Sequence, residues 1–269
     1  NAGNVQTVEL TQNGNTQNII NGAEYTFSGL LTNLSFANGL ALNNTYDLAG
    51  RVTSLNNGPL NLLHSFDGAA NIISQSTNQY SYDALNRLAS ASTNLGELDY
   101  SYDKNSNRLT FTENSIQTQY GIAINSNIIT SINTLIVSND ANGNRLNRNG
   151  QTLQYTPYNQ LSQITNVAQY KYNGLGQRVQ KTLLLNSDIK TFVYAINGQL
   201  LAEMDASGIV SDEHIYLGNM PIAVIKHKTA GSELFYVHSD HLNTPRAITK
   251  QDKTEVWQWQ SDPFGKGGA

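Results

Sequence analysis

The sequence predicts an all-β chain: tandem β-hairpins laid side by side in a long antiparallel sheet that curves or spirals, as the wall of a shell or barrel does. Three observations predict it. Similar segments recur with a mean spacing of about 19 residues along the 269-residue chain. Within them aromatic and polar residues alternate, as Tyr80, Ser81 and Tyr82 do. Between them stand short turns of the form Asp-x-x-Gly or Asp-x-x-Asn. A period of this length holds two strands of about 5–6 residues and two tight turns. A two-helix repeat needs roughly 33 residues or more.

The elements justify themselves in order. Taking the residue before each turn as an anchor gives Tyr25, Tyr46, Phe66, Tyr82, Tyr102, Tyr120, Asn139, Tyr155, Tyr172, Tyr194, Tyr216 and Tyr236. Alternation with period two places Tyr80 with Tyr82, Tyr100 with Tyr102, and Tyr170 with Tyr172 on one face of a strand. After the anchor comes the turn. In Asp47-Leu48-Ala49-Gly50 the aspartate can accept hydrogen bonds from backbone N–H groups two residues on. Gly50 then takes the left-handed conformation that sends the chain into the next strand, and Asn86, Asn159, Gly176 and Gly198 fill the same slot. Arg51 and Arg87 follow that slot, and Asp83 and Asp103 open the turns after Tyr82 and Tyr102. Arg108 and Arg178 close related segments. One hairpin is marginal in water, so stability has to come from pairing with neighbours and stacking rows of rings.

Composition narrows the function. Charged residues are only 13% of the chain, and polarity comes from 35 Asn and 18 Gln. Net charge is −4 with no basic cluster, which argues against a nucleic-acid surface. With no Cys, disulfides, thiolate metal sites and Cys nucleophiles are excluded. No apolar run reaches the roughly 18 residues of a membrane span. The chain opens on Asn1 without Met, and is read as a processed or excised piece of something longer. The expected organisation is one ribbon over residues 1–269. Residues 1–197 form its Asn-rich part, with 33 of the 35 Asn, and residues 198–269 its more charged end.

The turn Tyr46-Asp47-x-x-Gly50-Arg51 resembles the YD repeat of the Rhs proteins, of Tc toxin C components and of teneurins. The segment from Tyr236 to Gly265 resembles the Rhs-associated core, carrying His238, Asp240, His241, Pro245, Arg246, Trp257, Asp262, Pro263 and Gly265 in the matching motif. The resemblance implies a hollow β-shell around an unfolded or partly folded C-terminal toxin, in a secreted or cell-surface bacterial protein. The implied partners are further YD repeats of the same or another chain and a toxin passenger, with a secretion spike or a surface glycan beside them. Here the core-like end is truncated: the chain stops at Ala269, without positions matching the self-cleaving aspartates.

Enzymatic readings are weaker. His238-Ser239-Asp240-His241 invites a metal site or a hydrolytic triad, yet these side chains do not all face one way on a strand and turn, and no G-x-S-x-G elbow occurs. Glu203 and Asp205 suggest a carboxylate pair, but their i, i+2 spacing is too wide for a retaining glycosidase. The expected protein is therefore a non-enzymatic shell segment without metal or cofactor, its work done by Tyr and turn residues. The alternative is an extracellular adhesion or self-assembling filament module, with tyrosine rows available to stack on carbohydrate.

Overall fold

A computed structural model describes residues 3–12 and 14–268. Among the described residues there are 28 strands and no helix, so the all-β expectation holds. The chain resolves into two compact units. The first comprises Asn1–Tyr80, Thr93–Leu95 and Asp212–Ala269; the second comprises Ser81–Ser92 and Gly96–Ser211. Position 198, where the composition changes, lies inside the second unit.

In the first unit, each strand from Val8–Gln12 onward pairs antiparallel with the next: Asn15–Tyr25, Leu31–Phe36, Ala41–Tyr46, Val52–Asn57, Leu60–Phe66, Ile72–Gln75 and Asn78–Tyr82. A second antiparallel run follows: Val210–Leu217, Met220–Lys228, Gly231–Ser239, Pro245–Thr249 and Glu255–Gln258. The faces of the two runs pack together. Ile19, Ile20 and Ala23 join Leu34, Phe36 and Leu42 from the early strands against Ile222, Ala223 and Tyr236 from the late ones. Phe36 meets the Tyr236 ring edge-on at 6.0 Å between centroids. Burying each large apolar side chain contributes on the order of 1.5–3 kcal/mol. Neither run covers its own apolar face, so the core exists only when both ends of the chain are present.

The second unit is built from near neighbours in sequence. Gly96–Tyr102, Arg108–Glu113, Ile116–Ile122, Ile129–Ile132 and Leu135–Ile136 pair in that order. Asn147–Arg148, Gln151–Tyr155, Leu161–Ile164, Ala168–Tyr172, Arg178–Leu183, Ile189–Tyr194 and Leu200–Met204 do the same. Its buried apolar residues include Leu98, Leu153 and Ala168.

The register carries the repeat. Alternate hairpins shift at the last residue before the turn, at Tyr25, Tyr46, Phe66, Tyr102, Tyr155, Tyr172 and Tyr194, whereas those between them, such as Leu31–Phe36 with Ala41–Tyr46, pair in straight register. Such a bulge strengthens the local twist. Three anchors fall elsewhere than the spacing suggests. Tyr120 sits two residues early, and Ile122 takes the bulge position beside the turn. Tyr216 adjoins a bulge but leads into the two-residue Gly218-Asn219 turn. Tyr236 lies in mid-strand, fully buried, and Ser239 occupies the turn-proximal place. Counting aromatics at an average period cannot see that the late hairpins have longer strands.

Candidate functional site

The recurring structural unit is the turn, and one carboxylate organises it. Asp47 accepts the N–H of Ala49 at 2.9 Å and of Arg51 at 3.0 Å through Oδ1, and Arg51 Nε donates to Oδ2 at 2.6 Å. The backbone closes the same loop, with Gly50 N donating to Asp47 O and Asp47 N donating to Arg51 O, both at 3.0 Å. Asp83 repeats every bond with Leu85 and Arg87. Asp67, Asp103 and Asp140 keep the scheme, with Asn71, Asn107 and Asn144 replacing the arginine. The carboxyl of Asp47 is held below its usual range first by the Arg51 backbone N–H, and that of Asp83 first by the Arg87 side chain. Thr26, Thr156 and Asn173 supply the accepting oxygen in three further turns.

The residue three after each of these leaders has positive φ. Gly50, Asn86, Asn159 and Gly176 do so as expected, at 78°, 57°, 61° and 78°. Ala70 and Ser106 also do so, each at φ 67°. The side-chain bonds from Asp67 and Asp103 offset the crowding of Cβ that this conformation imposes.

Tyr and Arg link one hairpin to another. The hydroxyl of Tyr46 donates to Leu31 O at 2.7 Å, that of Tyr102 to Leu88 O at 2.8 Å, and that of Tyr172 to Leu161 O at 2.8 Å. Each acceptor belongs to the opening residue of an earlier strand. Arginines stack on the aromatic of a following repeat: Arg51 lies 4.4 Å from the Phe66 centroid and Arg87 4.7 Å from that of Tyr102. Arg108 and Arg178 stand one place later than Arg51 and Arg87, because Asn107 and Gln177 fill the turn. Arg108 packs over Tyr120 and Arg178 over Phe192 instead. Tyr82 ends its strand in the first position of the same pattern.

In the first unit the core-like motif forms a buried clasp. His238 is completely buried. Its Nδ1 lies 3.0 Å from Asn57 Oδ1 and its Nε2 2.9 Å from the Thr249 hydroxyl. Asn57 Nδ2 donates to Ser239 O at 3.0 Å, and Asn38 Nδ2 donates to Thr249 Oγ1 at 3.2 Å and Lys250 O at 3.1 Å. An amide oxygen can only accept, so the imidazole proton sits on Nδ1 and Nε2 accepts from Thr249. Burial pushes the pKa of His238 down to about 4, which holds the ring neutral. Gly58 lets the ring pass: a Cβ there would stand 2.5 Å from two ring atoms.

Beside the clasp, Asp240 is buried and accepts from Leu242 N, Thr244 N and Arg246 Nε at 2.9, 3.0 and 2.7 Å. Arg246 stacks on Trp259 at 4.7 Å. Pro245 opens the following strand opposite Ser239, and Trp257 pairs with Ile248 in the next. Asp262 repeats the carboxylate turn through Phe264 N and Lys266 N, with Pro263 in the turn and Gly265 at φ 85°. The His241 and His64 rings meet at 4.5 Å.

The chemistry of the clasp is structural. His238 bonds to Thr249 and Asn57, while Ser239 Oγ reaches Pro221 O at 3.4 Å, so His238, Ser239 and Asp240 form no relay. Among the described residues no group of three or more His, Cys, Asp or Glu is placed to hold a metal ion. Glu203 accepts from Lys190 at 2.7 Å and Asp205 holds its own turn. Sequence reasoning missed Asn38, Asn57, His64 and Thr249, whose significance depends on contacts outside their own repeats.

A family model described as teneurin YD-shell matches residues 68–267. The chain belongs to the teneurin YD-shell family. The resemblance to Rhs and YD-repeat proteins therefore holds. Solved Tc toxin structures share the YD-shell fold. The crystal structure of TcdB2-TccC3 matches with a TM-score of 0.80 at 18% identity, over 99% of this chain and 17% of that one. The Photorhabdus luminescens Tc holotoxin pore matches with a TM-score of 0.79 at 17% identity, over 97% and 16%. The tRNA3(Ser)-specific nuclease WapA of Bacillus spizizenii is 27% identical over 198 residues, 68% of this chain and 8% of that protein. This YD-shell chain thus spans about a sixth of the Tc chains and under a tenth of the nuclease. Among the described residues no helix is long and apolar enough to cross a membrane.

Proposed function

We propose that this YD-shell chain is a non-enzymatic wall segment of a secreted bacterial Rhs-type toxin, and that the wall encloses a C-terminal toxin passenger. The observation that carries the reading is the repeated carboxylate turn with its Tyr and Arg links. These groups are spent on holding hairpin to hairpin. The buried motif likewise uses its imidazole, hydroxyl and carboxylate in fixed internal bonds. A closed β-wall of such hairpins keeps an unfolded chain away from proteases and cytosol until delivery. Further YD repeats of the same or another chain complete it. The fold shared with Tc toxin shells supports this reading.

The test uses the full-length protein with a unique protease site placed in the passenger and, separately, in an exposed wall loop. Protection of the passenger site under conditions that cut the loop site is expected. Equal cleavage at both sites would overturn containment.

A further inference from the structure

We infer that Asn149 is a site of self-modification, where water converts the side-chain amide to a carboxylate without an enzyme. The sequence holds eight Asn-Gly pairs, at Asn13, Asn21, Asn38, Asn57, Asn142, Asn149, Asn173 and Asn197. Such a pair is open to this reaction because glycine puts no Cβ in the way of its own backbone nitrogen. That nitrogen attacks Cγ of the asparagine, the amide nitrogen leaves as ammonia, and a cyclic imide forms. Water then opens the ring at either carbonyl, giving aspartate or isoaspartate.

The fold separates these pairs. Attack needs a free glycine N–H and a side-chain amide able to turn toward it. Asn38 and Asn57 are buried, and both ends of each amide are bonded. Gly39 N and Gly58 N donate to Phe36 O and Ala41 O. Asn173 and Asn197 also have both ends of the amide tied, largely to Gln177 and Gln199. The Asn142 amide donates to Asn159 at 3.0 Å, and Gly143 N donates to Asp140 O. Asn21 accepts from Asn18 inside the long strand Asn15–Tyr25. Asn13 lies outside the described residues. Asn149 and Gly150 differ on each count. Both are exposed, and among the described residues no hydrogen bond holds the Asn149 amide or the Gly150 N–H. Nothing lies within 4 Å of a Cβ built on Gly150. The two residues have φ of 50° and 76°, the left-handed pair that a type I′ hairpin turn requires. Attack requires Asn149 to leave this conformation. The strand beside it, Asn147–Arg148, is two residues long and the first of its run, so opening the hairpin there costs little. Isoaspartate would lengthen the turn backbone by a methylene, which loosens the pairing of Asn147 with Thr152 and of Arg148 with Gln151.

The test holds the 269-residue chain in warm, mildly alkaline buffer, once folded and once in concentrated urea. Peptide mass spectrometry follows each pair, and an isoaspartyl methyltransferase marks the isoaspartate product. In the folded chain Asn149 should convert at least about tenfold faster than Asn57 or Asn173, and in urea the three rates should come within about threefold of one another. Asn149→Gln, whose longer side chain closes the imide far more slowly, should remove the change from the peptide that carries it. Conversion of Asn149 in the folded chain no faster than that of Asn57 and Asn173, the same ranking kept in urea, or persistence of the change in the Asn149→Gln peptide would overturn the site.

Discussion

Gly58 and Gly208 both have positive φ, at 58° and 79°, yet a side chain would meet different surroundings at each. Nothing lies within 4 Å of a Cβ at Gly208, so Gly208→Ala should cost only backbone strain, about 1 kcal/mol. At Gly58 the new methyl would strike the His238 ring, and Gly58→Ala should cost at least about 2 kcal/mol more, as overpacking of a filled core does. Urea melts of both variants check the difference; equal losses would mean that the ring yields freely. Tyr46→Phe removes the hydroxyl's bond to Leu31 O and the longer one it accepts from Asn44 Nδ2, and should cost about 1–2 kcal/mol by the same measurement. Much of this scale was legible in advance. Asp47, Gly50 and Asn86 announce their roles because turn chemistry is local. Ala70 and Ser106 do not, since neither residue favours the left-handed region and only the aspartate three places earlier explains them.

At the scale of the element, the clasp joins strand ends that are far apart in the chain, with Asn57 and His238 separated by 181 positions. It should make the first unit sensitive to acid. Burial pushes the pKa of both His64 and His238 from 6.5 down to about 4, with the neighbouring His241 adding to the effect on His64. The charged groups facing the His64–His241 pair are Asp240 and Arg246, which pull in opposite directions on His241. Above pH 6.5 folded and unfolded rings are both neutral. Between pH 6.5 and 4 the unfolded chain takes up protons that the folded one refuses, so stability falls as pH falls. The loss should be on the order of 2 kcal/mol per ring at pH 5. The turn aspartates respond later, because their pKa values are lowered from 3.8 and their contribution disappears only as they protonate below it. Urea midpoints of the first unit at pH 7 and pH 5 test this, and His64→Phe should remove part of the difference. The sequence made His238 conspicuous but named none of its partners. Pairing partners inside a hairpin follow from the turn; those on the opposing sheet follow from packing, which no local spacing encodes.

For the whole molecule, the two units are assembled differently. The second is a succession of sequence neighbours, whereas the first needs Ile19, Leu34 and Phe36 to meet Ile222 and Tyr236. Deleting residues 212–269 should therefore abolish amide protection in strands Asn15–Tyr25 and Leu31–Phe36 while leaving it in Ala168–Tyr172 and Arg178–Leu183. Hydrogen exchange followed by mass spectrometry reads both at once; uniform loss would show that the units do not fold separately. The division at Asp212 was invisible in composition, which changes near 198, because compactness depends on which faces meet and not on where charge begins. The same arrangement has a consequence in time. A ribosome adding about 5–20 residues per second needs on the order of ten to thirty seconds to travel from Phe66 to Ile222. Through that interval the apolar faces of the first hairpins are made but have no opposing sheet, and residues 1–80 contain only five charged side chains to discourage stray strand pairing. Those first hairpins are therefore most prone to stray pairing during synthesis, before the strands that cover them have been made.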